Sequence, residues 1–135
     1  MIPAGLVTVD SAFTADETID RVRAAIEASG NAIFAVFDHT AAAASAGLTL
    51  RPTAVFAFGN PSGGTKLMQL NQTIGIDLPL KVLVWENEHE NVKVSYNDPQ
   101  WLSERHGLES EARAIVAAMS KLLGTITQKS TRQAA

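Results

Sequence analysis

Residues Ala32 to Phe37 form an unbroken apolar run between Gly30, which ends one helical pattern, and Asp38-His39, which opens another. Six residues are too few for a buried helix and match the length of a buried strand. The flanking segments carry equally legible signals. Leu6-Val7-Thr8-Val9 reads as a strand. Thr14 opens a helix with Glu17 three residues on, a capping-box spacing. Ile19, Val22 and Ile26 give that helix one apolar face, and Gly30 ends it where a left-handed cap is favoured.

Further along, Thr40 to Ala46 reads as a short alanine-rich helix closed by Gly47. Arg51-Pro52 separates it from a strand over Ala54 to Phe58. Gly59 to Gly64 reads as a loop, Thr65 to Gln72 as a short helix and Gly75 to Pro79 as a connection. Leu80 to Trp85 and Val92 to Tyr96 read as strands of a hairpin, with Val92, Val94 and Tyr96 on one face. Asp98-Pro99 starts a short helix that Gly107 ends. A last helix over about Glu109 to Leu123 carries a stripe of Ile115, Met119 and Leu122. The order predicts an α+β fold, a two-layer sandwich with a mixed sheet of about five strands and helices on one face. Residues 1–124 form the single domain, and the polar residues 125–135 are expected to fray.

Composition narrows the function classes. The chain has 135 residues and no cysteine, which excludes disulfides, thiolate catalysis and cysteine zinc sites. A net charge of −3 gives no basic field for nucleic acid. No apolar run is long enough to span a membrane and no signal peptide opens the chain, so a cytoplasmic protein is expected.

Candidate site residues cluster at the ends of elements. Asp38-His39 joins a strand to a helix, where a histidine beside an acid can act as base, metal ligand or anion contact. The competing reading is a helix cap with a backbone-bonded ring. Gly59-Asn60-Pro61-Ser62-Gly63-Gly64-Thr65-Lys66 has the G-x-x-x-x-G spacing of a phosphate loop, but Thr65-Lys66 reverses the required order. A weaker anion-binding role for its backbone N–H groups stays open beside a plain turn. Asn97-Asp98 precedes a helix carrying Trp101, Arg105 and His106, with Asp98 as its cap and His106 at its end. His39, His106, Asp38 and Asp98 lack metal-ligand spacing, so no metal site is expected. No serine sits in a G-x-S-x-G elbow.

A series of segments in order, Phe37-Asp38-His39, Ala43 to Leu48, Leu50-Arg51-Pro52-Thr53, Phe58-Gly59-Asn60-Pro61, Gly64-Thr65, Leu67-Met68, Gly75 to Lys81, Val84-Trp85-Glu86, Ser95 to Pro99 and Arg105 to Leu108, resembles the domain of unknown function 302 family over about Leu6 to Leu123. The resemblance implies a compact two-layer α+β fold, small bacterial or archaeal proteins and often a homodimer. It implies no activity, cofactor or catalytic residue.

The resulting expectation is a binding module for a small polar or anionic ligand, with Asp38, His39, Asn60, Thr65, Asn97, Asp98 and His106 converging on one cleft. One alternative is an enzyme using His39 or His106 as general acid or base, with or without a metal. The other is a partner-binding homodimer without a small-molecule site, to which Trp85 and Trp101 are suited as interface residues.

Overall fold

Side chains alternate between the two faces of a strand, and three strands bury the same alternate set. The computed structural model describes residues 2–133. In it, Phe56 and Phe58 of β3 (Thr53–Gly59), Val82 and Val84 of β4 (Leu80–Glu86) and Val94 of β5 (Val92–Asn97) are wholly buried. β1 (Leu6–Asp10) and β2 (Ala32–Asp38) complete one five-stranded sheet in the order β1-β5-β4-β3-β2. Ala54, Val84, Val94 and Val9 form one cross-strand row on the buried face.

The α+β sandwich therefore forms as expected, but its sheet is not mixed: every neighbouring pair is antiparallel. β1 and β2 are joined by a helix and run in the same direction, the pattern that suggests a parallel pair. β3, β4 and β5 lie between them, so the two never touch.

The helix between them, α1 (Ala15–Ala28), starts as the capping signal predicts, with Thr14 Oγ1 accepting from Glu17 N at 3.2 Å. Its Val22 and Ile26 join Leu123 and Ile126 of α5 (Arg113–Thr131) over the buried face of the sheet. Full burial of each such side chain contributes about 1.5–3 kcal/mol. A second apolar cluster holds Leu67 of α3 (Pro61–Leu70), Ile74, Leu102 of α4 (Pro99–Arg105), Ala112 and Val116.

Three local expectations change. The polar tail is not frayed from residue 125: α5 runs on to Thr131, and Ile126, Thr127, Ser130 and Thr131 are buried. Ser130 and Thr131 donate their hydroxyls to the carbonyl of Thr127, whereas the buried Thr127 hydroxyl has no partner among the described residues. Ala134 and Ala135 lie outside the described residues. The glycine-rich segment is not a loop up to Gly64. Asn60 caps and Pro61 opens α3, which places Gly63 and Gly64 in its first turns. Finally, the apolar run Ala32 to Phe37 is an edge strand rather than a buried one. Phe34 is 52% exposed and Phe37 55%. A slip in register between Ile33 and Ala35 marks a bulge there.

At the far end of β2, Asp38 Oδ1 accepts from Ala41 N at 2.9 Å and caps α2 (His39–Ser45), while His39 is exposed. Asp38→Ala is expected to cost about 1 kcal/mol in urea unfolding, and His39→Ala to stay within about 0.5 kcal/mol of the parent.

Candidate functional site

The start of α3 leaves the C-terminal end of β3 and packs toward α5, and a cleft of about 530 Å³ lies between them. That volume is within the usual range for small-molecule sites. Phe58 and Leu80 form part of its lining from the sheet, with Phe34 from the edge strand. Ile115, Ala118, Met119 and Leu122 of α5 face Gly63, Gly64 and Met68 of α3. The glycines set the width. A Cβ on Gly63 would stand 3.6 Å from Met119 Cε, and one on Gly64 would stand 3.6 Å from Leu78 Cδ1.

One wall is the segment Gly75, Leu78 and Pro79. Behind it, Asp77 turns away from the cleft into a charged cluster. His106 Nε2 meets Asp77 Oδ2 at 2.5 Å, and Arg105 Nη1 donates to both carboxylate oxygens at 2.8 and 3.0 Å. His106 Nδ1 meets the Thr73 hydroxyl at 2.9 Å.

Asn71 Nδ2 donates to the backbone carbonyl of His106, which orients its amide. Asn71 Oδ1 then accepts from both the backbone N–H and the hydroxyl of Thr73. The Thr73 hydroxyl, having given its one proton to Asn71, accepts from His106 Nδ1. Both ring nitrogens of His106 are thus held in hydrogen bonds, with Thr73 and Asp77.

Burial alone would raise the Asp77 carboxyl, but the His106 hydrogen bond and the charge and hydrogen bond of Arg105 outweigh it and hold the group below its ordinary value. Lys81 Nζ donates to the carbonyls of Asp77 and Pro79 on the same segment. Burial lowers its ammonium, and Asp77 partly offsets this.

The expected site residues do not converge on one cleft. Asn60 and Thr65 line it. His106 stands behind its wall, holding Asp77. Asn97 pairs with Leu6 at the same end of the sheet, and Asp98 caps α4 by accepting from Gln100 N at 3.0 Å. Asp38 and His39 lie at the opposite end. Ala32 pairs with Gly59 and Asp38 with Ala54, which separates Asp38 from Asn60 by about 20 Å of strand.

Sequence reasoning missed Asp77, Met68 and Met119. Asp77 lies 29 residues before its partner His106, and no spacing rule links them. Among the described residues, no group of three or more His, Asp or Glu is placed to hold a metal ion.

A family model described as "Domain of unknown function DUF302" matches residues 7–126. Proteins named "Fluoride-specific ion channel FluC 1" from Brucella suis biovar 1 (strain 1330) and Brucella abortus biovar 1 (strain 9-941) are both 44% identical over 128 residues. These matches cover 95% of this chain and 50% and 47% of the relatives. The chain thus spans about half the length of the curated relatives it matches. A crystal structure of an uncharacterized conserved DUF302 protein from Bacillus stearothermophilus matches with a TM-score of 0.82 at 22% identity, over 96% of this chain and 100% of that one. That likeness shows a shared fold.

The charged cluster makes stability depend on pH. The Asp77 contribution is complete above the ordinary carboxyl value of 3.8 and is lost as pH falls through the lowered folded value. Asp77→Asn is expected to cost about 2 kcal/mol at neutral pH. Urea midpoints of the two proteins should approach each other as pH falls below about 4.

Proposed function

This chain belongs to the family of domains described as DUF302, and from that premise we propose that it is a small-ligand binding module whose site is the cleft between α3 and α5. The observation that carries this reading is the lining: Phe34, Met68, Leu78, Met119 and Leu122 surround space of small-molecule size at the mouth of the sheet. Two of these are methionines, whose flexible thioethers adapt to a guest. The Asp77–His106–Arg105 cluster supports the reading by stiffening one wall from behind. For the acid–base alternative, His106 has both ring nitrogens in hydrogen bonds, to Thr73 and Asp77, and His39 lies at the opposite end of the sheet.

N-phenyl-1-naphthylamine, which brightens in apolar surroundings, tests the site. Its fluorescence should rise on titration with the protein. Gly63→Ala/Gly64→Ala should weaken its binding about tenfold by narrowing the cleft, while adding up to about 1 kcal/mol of stability per residue by removing helix glycines. No fluorescence rise, or equal affinity in the variant, would overturn the proposal.

A second copy of this chain is the proposed protein partner, carried by the edge strand β2. Its apolar residues Phe34, Val36 and Phe37 are exposed, and an exposed apolar edge is a template for pairing. Light scattering should give a two-chain mass at micromolar concentration, and Phe37→Asp should shift it to one chain.

Ion conduction is not part of the proposal, although the Brucella relatives are named as channels. Among the described residues, no helix is long and apolar enough to cross a membrane. We assign conduction to the half of those proteins that this chain does not match. The purified chain alone should therefore release no fluoride from loaded liposomes, as read by a fluoride electrode.

A further inference from the structure

We infer that the ligand of the cleft is an uncharged molecule with an apolar body and an amide-like head that both donates and accepts hydrogen bonds. The inference rests on the cleft being a binding site and adds the chemical class of its guest. No ionisable side chain contributes to the lining. The nearest acid along the wall, Asp77, is turned away and held by His106 and Arg105. Nothing in the lining would compensate a buried carboxylate or ammonium, and desolvating an unpaired charge costs far more than burying a neutral polar group that finds partners.

The start of α3 favours negative charge at the rim. That attraction is small beside the desolvation of a full carboxylate, and a carbonyl oxygen can take it up without the penalty.

The head group is read from Asn31 and Asn60. They flank the paired residues Ala32 and Gly59 at the end of β2 and β3 and line the same end of the cleft. Asn60 Oδ1 accepts from Ser62 N, and Asn31 Nδ2 donates one of its two hydrogens to the Ser29 hydroxyl. Among the described residues this leaves Asn60 Nδ2 as a donor and Asn31 Oδ1 as an acceptor without protein partners, and Thr65 also lines the cleft. A primary or secondary amide, or a lactam, presents the complementary acceptor and donor on adjacent atoms. A carboxylate presents acceptors alone and leaves Asn31 Oδ1 facing another oxygen.

Three probes of one shape separate the possibilities: 2-naphthamide, 2-naphthoate and 2-methylnaphthalene, titrated against the intact chain by calorimetry or ligand-observed NMR at neutral pH. The amide should bind at least about tenfold more tightly than the carboxylate and more tightly than the hydrocarbon. Asn31→Ala/Asn60→Ala should bring the amide down to the affinity that the same variant shows for 2-methylnaphthalene. A circular dichroism spectrum matching the parent's shows that the variant is folded. Binding of the carboxylate as tight as the amide, or an amide advantage that survives the double substitution, would overturn the inference while the binding role stands. Absence of binding by all three would overturn the binding role itself.

Discussion

Everything in this molecule is arranged around one buried face of an antiparallel sheet. Phe56, Phe58, Val82, Val84 and Val94 lose all contact with water because α1 and α5 lie over them. The two edge strands are tied to that face by the same requirement. β1 and β2 stand at opposite edges, so the helix that joins them has to pass over the sheet. A single apolar face thus dictates both where α1 lies and why the chain can return to a far edge without a parallel pair.

The cleft is a consequence of where that covering stops. α5 covers the sheet with Leu123 and Ile126, and its preceding turns meet α3 and α4 instead. Beyond the C-terminal end of β3, α3 starts with glycines, so its first turns present backbone where side chains would otherwise close the gap to α5. The opposite wall is the segment before β4. A carboxylate, an imidazole, a guanidinium and a lysine ammonium hold it from its far side. The charged groups lie behind the wall, and the side chains along the cleft are uncharged and mostly apolar, with Asn31, Asn60 and Thr65 among them.

The other exposed apolar surface has a different character. Phe34 of β2 lines the cleft, whereas Val36 and Phe37 are exposed outside its lining. They sit on a strand with one free edge, where backbone groups and side chains are available together. The cleft is concave and β2 is an open strand edge, so the two apolar surfaces differ in shape.

Much of the architecture was legible from local chemistry. Thr14, Asp38 and Asp98 are caps in the structure because a side-chain oxygen one or two bonds beyond Cβ can reach an orphan N–H within its own turn. The alternation Val92, Val94, Tyr96 named the buried face of β5 for the same reason, since a strand's period is local. Other features had no local signature. An apolar run reads alike in a strand covered on both faces and in an edge strand such as β2, because the difference is the number of neighbours. Asp77 and His106 meet only after the fold closes, and Gly63 and Gly64 look like a loop until α5 gives them a helix to face. The hydroxyl-rich end of α5 reads as solvated tail until Ser130 and Thr131 pack down with their hydroxyls donating to the Thr127 carbonyl. The sequence by itself determined the caps, the periods and the α+β class, all of which depend on neighbours along the chain. Tertiary structure alone decided the strand order, the cleft and the charged wall behind it, because those depend on residues brought together from distant positions.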